Sequence, residues 1–176
     1  MLRAALVYVV SGKTTKLREV RLMSLRRWVI AALILLASPT MALAQAGLVV
    51  KQSAYPVAET VDRLEKALIS KGITVFARID HAAGAQQIGA ELLPTELLVF
   101  GNPKLGTPLM QSAREIGLDL PLKALVWEDE EGNVWLAYND PLYLAERHGV
   151  ADRDQVFGNM GGALEKFSDV ATKAGQ

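Results

Sequence analysis

The sequence contains no cysteine. That excludes thiol nucleophiles, thiolate-bound zinc or iron–sulfur clusters, attached c-type haem and structural disulfides. Histidine is scarce, with only His81 and His148. The templates of hydrolysis and phosphate binding are missing too: no Gly-x-Ser-x-Gly elbow, no His-Glu-x-x-His pair, and no glycine-rich phosphate loop with its lysine. There is no internal repeat, no linker and no low-complexity tract. Net charge is absent as well, since 19 Lys/Arg balance 19 Asp/Glu. What is present, 176 residues that are 51% hydrophobic and 22% charged, suits one globular domain and excludes collagen-like or disordered chains.

The neutral balance averages two unlike segments. A basic stretch, Met23-Ser24-Leu25-Arg26-Arg27, precedes the unbroken apolar run Trp28 to Ala37, and Ser38-Pro39-Thr40 leads into Ala42-Leu43-Ala44. Basic region, apolar region and small-x-small site, in that order, predict a secretory signal peptide and a periplasmic protein. The apolar run is about half of what a bilayer core requires, so a permanent membrane helix is the weaker reading. Residues 1–22 carry Arg3, Lys13, Lys16, Arg18 and Arg21 against Glu19 alone, and read as an upstream extension with translation starting at Met23. The expected organisation is therefore an extension over 1–22, a signal over 23–44 and a single domain over 45–176. The first 44 residues hold seven Lys/Arg and one acid, which leaves 12 basic and 18 acidic residues and a net charge of −6 on the remainder. Such a surface disfavours nucleic acid and, once the signal is gone, anionic membranes.

The remainder predicts alternating elements. Gly47 to Ala54 is β-like. After Pro56, Val57, Val61, Leu64 and Leu68 recur at helical spacing as far as Lys71-Gly72. Ile73 to Ile79 alternates strictly, with Ile73, Val75, Ala77 and Ile79 on one face. A short helix over 82–88 and an apolar strand over 95–100 follow. A turn then leads to a helix starting at Thr107-Pro108. Leu122 to Trp127 and Val134 to Tyr138 form a hairpin around a polar turn, which sets Trp127 and Trp135 near each other. Helices over 141–148 and around Met160 to Val170 complete the chain. The predicted fold class is α+β, a single compact domain with helices packed on a mixed β-sheet in the order β-α-β-α-β-α-β-β-α-α.

Five stretches, Arg78 to His81, Glu96 to Pro103, Gly106 to Met110, Leu120 to Trp127 and Val134 to Pro141, occur in an order that resembles the bacterial domain of unknown function 302. The resemblance runs from about Val49 to about Ala171. It implies a compact α+β domain that often forms homodimers, and it implies no agreed reaction.

Chemistry has few candidate carriers. His81, beside Asp80 at a strand end, could act as a general base or ligand, or could simply cap a turn. His148, at a helix C-terminus, reads as a complement to the helix dipole. The turn Gly101 to Thr107 offers Asn102, Lys104 and Thr107, with His81 facing them if the two neighbouring strands are parallel. Amides at the following helix start would make this a site for a small anionic ligand. The methionines Met110 and Met160 are the weak metal candidates, for copper, against the plainer reading of core filling. No cofactor is implied. The favoured function is an exported, non-enzymatic small-ligand-binding or accessory protein, probed against two alternatives: an enzyme that uses His81 and an acidic partner for proton transfer, and a copper-binding periplasmic protein. The leader reading predicts cleavage after Ala44, so N-terminal sequencing of the processed protein should begin at Gln45. Intact Met1 or Met23 on a cytoplasmic protein would overturn it.

Overall fold

The structure is a computed structural model and describes residues 47–175. The expected upstream extension, signal peptide and cleavage site, over residues 1–45, lie outside the described residues. The elements are β1 (Leu48–Ser53), α1 (Val57–Ser70), β2 (Thr74–Asp80), α2 (His81–Gln87), β3 (Thr95–Gly101) and α3 (Pro103–Ser112), then a 3-10 turn (Arg114–Leu118), β4 (Leu122–Glu128), β5 (Val134–Asn139), α4 (Pro141–Arg147) and α5 (Asp154–Thr172). This is the α+β order that the sequence predicts.

The sheet runs β1-β5-β4-β3-β2, and every neighbouring pair is antiparallel. The expected mixed sheet is thus corrected. Parallel neighbours need a crossover that carries the chain back along the full strand length. Here α3 and the 3-10 turn stay at one end of the sheet, where Phe100 of β3 stands opposite Leu122 of β4. The connection reverses the chain instead of returning it.

One face of the sheet is closed by two helices. The stripe Val57, Val61, Leu64 and Leu68 of α1 is buried, as helical spacing predicts, and packs with Leu164 and Ala171 of α5 against Leu98, Phe100, Val126, Leu136 and Tyr138. Each fully buried side chain of this size contributes about 1.5–3 kcal/mol. The hydroxyls buried inside this layer are paired. Thr60 Oγ1 lies 2.7 Å from Ser53 Oγ, and the Thr172 hydroxyl donates to the Ser168 carbonyl at 2.8 Å. A second cluster holds Leu109, Ile116, Leu144, Val150, Phe157 and Met160. Both histidine-poor clusters are thus built from aliphatic and aromatic carbon.

Three local readings change. The register of β2 slips between Val75 and Ala77, so a bulge at Phe76 splits the predicted single face. Val75 packs into the core, while Ala77 and Ile79 stand opposite Val99 and Leu97 on the other side. Period-two alternation cannot reveal the extra residue, because the bulge is a property of the pairing. Helix α3 starts at Pro103 rather than Thr107, because Asn102 caps it: its Oδ1 accepts from Lys104 N at 2.9 Å. Helix α5 starts at Asp154, ahead of the start expected near Met160, and runs through Gly158 to Gly162.

Two carboxylates bind structure together. Asp129, in the β4–β5 turn, is held below the usual carboxylate range by the Trp135 indole N–H at 2.6 Å and by Asn133. Asp169 is lowered by Lys173 and Lys51, the latter joining α5 to β1. A carboxylate whose folded value is depressed contributes stability above its unfolded value of about 3.9 and loses it as pH falls through the folded value. Urea midpoints should therefore fall below about pH 4. The Asp129→Asn/Asp169→Asn double variant should lose less of its midpoint over the same interval.

Candidate functional site

Where β2, β3 and β4 end beside α3, the packing leaves a cavity of about 310 Å³. Volumes of this order hold small ligands. The sheet contributes Phe76, Phe100 and Leu122, α1 contributes Leu68, α3 contributes Leu105 and Met110, and α5 contributes Met160, Leu164 and Phe167. Among the described residues no charged side chain lines it, and Asn102 and Thr107 are the polar side chains that do.

The local sequence explains the space. Gly101 and Gly106 both border the cavity. A Cβ on Gly106 would lie 3.7 Å from Leu120 Cδ1 and 4.0 Å from Met110 Cε, which is ordinary contact. A larger side chain there would project into room that is now empty. The bulge at Phe76 turns that ring to the cavity edge, where its Cε2 would be 3.5 Å from a Cβ at Gly101.

The predicted site residues are only partly brought together. Asn102 and Thr107 line the cavity, whereas Lys104 is exposed and does not. His81 is elsewhere. Because β2 and β3 are antiparallel, Asp80 stands opposite Glu96 at one end of the sheet, and Gly101 stands opposite Thr74 at the other. The condition that would have turned His81 toward Asn102 is therefore not met. His81 is an exposed first residue of α2, and the Asp80 carboxylate is engaged in capping that helix, accepting from Ala83 N at 2.8 Å.

The anion site also loses its donors. The Asn102 side chain takes Lys104 N, and the Asn102 carbonyl takes the amides of Leu105 and Gly106 at 2.9 and 3.0 Å. Pro103 has none to offer. Thr107 is in the second turn of α3 and not at its start. An anion here would meet amides already in use, against the expectation of a small anionic ligand. Met110 and Met160 face the cavity among carbons, where a flexible thioether fills irregular space. Among the described residues no group of three or more His, Asp or Glu could hold a metal ion.

His148 has a partner that the sequence reading missed. It caps α4, its ring is buried, and its Nε2 lies 2.6 Å from Asp119 Oδ2, with Arg147 Nε 3.6 Å from the same oxygen. The pair ties α4 to the segment ahead of β4. The two residues are 29 positions apart in sequence, with no local pattern to join them. The aromatic wall of the cavity was equally hidden, since hydrophobic periodicity marks a face without telling whether that face is filled.

An antiparallel sheet with helices on one face and an apolar cavity at its end defines a single α+β domain. Residues 49–167 match the family described as Domain of unknown function DUF302, and the chain belongs to that family. It superposes on the crystal structure of an uncharacterized conserved protein DUF302 from Bacillus stearothermophilus with a TM-score of 0.65 at 19% identity, covering 72% of this chain and 98% of that one. That likeness is one of fold. Fluoride-specific ion channel FluC 1 of Brucella suis biovar 1 (strain 1330) is 52% identical over 112 residues, which is 64% of this chain and 44% of that protein. The same named channel of Brucella abortus biovar 1 (strain 9-941) is also 52% identical over 112 residues, 42% of its length. The matched region thus spans less than half of these curated relatives.

Replacing the cap tests the local reading. Asn102→Ala should cost about 1 kcal/mol of stability, as N-cap removals do. Thr107→Ala, on an exposed second-turn position, should be near neutral in the same denaturant titration.

Proposed function

We propose that this protein binds a small, uncharged, apolar molecule in the cavity between α3, α5 and the ends of β2 to β4, and acts as a carrier or accessory protein rather than an enzyme. The observation that carries the reading is the lining: about 310 Å³ walled almost wholly by apolar side chains, with no charged one among the described residues. Transfer of apolar ligand surface from water into such a site is the favourable term, at about 25 cal/mol per Å². Two polar side chains at its edge would orient the ligand without demanding charge. Support for action in the periplasm comes from the leader-like order of residues 23–44 and the absence of cysteine.

A role beside a fluoride channel is the second reading, favoured by the names of the Brucella relatives. The cavity does not suit fluoride itself. Stripping a small hydrated anion requires donors in place of water, and the nearest amides are committed to Asn102.

Protein isolated from its own periplasm should carry a neutral adduct in native mass spectrometry. In thermal-shift titrations, short neutral alkanols and terpenoid alcohols should stabilise the wild type, and sodium fluoride should not. Gly106→Leu fills the cavity and improves helix propensity at that position; it should keep its melting temperature and lose the shifts. Equal shifts in wild type and Gly106→Leu would sink the cavity as the binding site.

A further inference from the structure

The cavity has one polar edge, and the fold fixes its hydrogen-bonding sense. Half-buried Asn102 follows β3 and caps α3, its Oδ1 accepting from Lys104 N at 2.9 Å. A carboxamide can serve an N–H only through its oxygen, so the cap decides which way the group is turned. The oxygen is spent on α3. The arm that remains, Nδ2, carries two N–H donors, and among the described residues the bond to Lys104 N is the one hydrogen bond this side chain makes.

Thr107 supplies a second donor. The other helix hydroxyls among the described residues each donate to a carbonyl three or four positions back: Thr60 to Pro56, Ser70 to Ala67, Ser112 to Pro108, Ser168 to Glu165 and Thr172 to Ser168, at 2.8 to 3.4 Å. Such back-bonding is the ordinary way a hydroxyl inside a helix is satisfied. Thr107 does not use it. Its proton is free at the border of the same cavity that Asn102 lines.

We propose that the molecule bound here carries an accepting oxygen at one end of an apolar body, a neutral ketone, aldehyde or ester carbonyl, and that Asn102 Nδ2 and the Thr107 hydroxyl set this preference. The preference presupposes the apolar cavity and adds a direction to it. A carbonyl oxygen has two lone pairs, and two neutral donors satisfy them. A carboxylate brings a full charge to desolvate, and the nearby cation, Lys104, is exposed and does not line the cavity. A hydrocarbon of the same shape would strip water from both donors and return no hydrogen bond. A molecule that only donates would leave Asn102 Nδ2 unpaired.

NMR titration of the purified protein with acetophenone, ethylbenzene and indole, three neutral probes of similar size, tests the proposal. Acetophenone should bind the wild type about three- to tenfold more tightly than ethylbenzene, the worth of one net hydrogen bond. It should also bind more tightly than indole, and sodium benzoate should not bind. Asn102→Asp separates the two roles of the residue, because Asp caps a helix as well as Asn does, while the arm turned away from the cap changes from donor to acceptor. This variant should keep the wild-type melting temperature and the affinity for ethylbenzene, lose the preference for acetophenone and gain affinity for indole. Thr107→Val exchanges the hydroxyl for a methyl without touching the cap, and should lose part of the preference. An Asn102→Asp protein that still prefers acetophenone overturns the proposal, as does a wild type that binds benzoate equally tightly. Equal affinities of the wild type for acetophenone and ethylbenzene, both lost in Gly106→Leu, overturn it and leave the apolar cavity standing. A wild type that binds none of the neutral probes removes both.

Discussion

Everything in this domain depends on the two faces of one antiparallel sheet being chemically unlike. Each strand presents alternate residues to opposite sides, and one side is closed by α1 and α5. Leu98, Phe100, Val126 and Leu136 on that side are almost free of solvent. Polar ties at the margins hold the helices to the strands: Lys51 reaches Asp169 on α5, and Arg78 reaches Asp62 on α1 and Glu96 on β3. Partly exposed pairs of this kind are individually worth about 0–1 kcal/mol. They orient the layers, whereas burial of carbon holds them together.

The polar residues at strand ends are consumed locally. Asp80, Asn102 and Asp140 each accept a backbone amide two or three residues on, at 2.8 to 2.9 Å, and so start α2, α3 and α4. Asp129 folds the hairpin turn by accepting from Glu131, Asn133 and Trp135. His148 and Asp119 are committed to each other. Helix starts and turns are where reactive groups would be expected to gather, and here their accepting oxygens serve the backbone. The space left at the end of the sheet is therefore lined by apolar side chains, with only Asn102 and Thr107 as polar side chains among the described residues. That is why the functional reading rests on an apolar ligand and not on proton transfer.

Much of this was legible in residue order. Val57, Val61, Leu64 and Leu68 announce the buried stripe of α1, because helical spacing is a local property. The Trp127–Trp135 pairing follows from a hairpin around a polar turn. The Gly101-Asn102-Pro103 break was visible, but not that Asn102 already caps a helix at Pro103; the competing start at Thr107-Pro108 has the same composition cues, and Pro108 is tolerated inside α3. The bulge at Phe76 was invisible, since strict alternation over 73–79 is what an unbulged strand would show as well.

By itself the sequence determined the element order, the α+β class, the absence of thiol chemistry and the acidic balance of residues 45–176, because each depends on residue types and near-neighbour spacing. Strand direction was decided only by the tertiary structure, and with it the separation of His81 from Asn102 to opposite ends of the sheet. The same is true of the His148–Asp119 contact and the empty volume beside Gly106. These are properties of pairing and packing between segments distant in the chain, and a one-dimensional pattern holds no record of which distant segments meet.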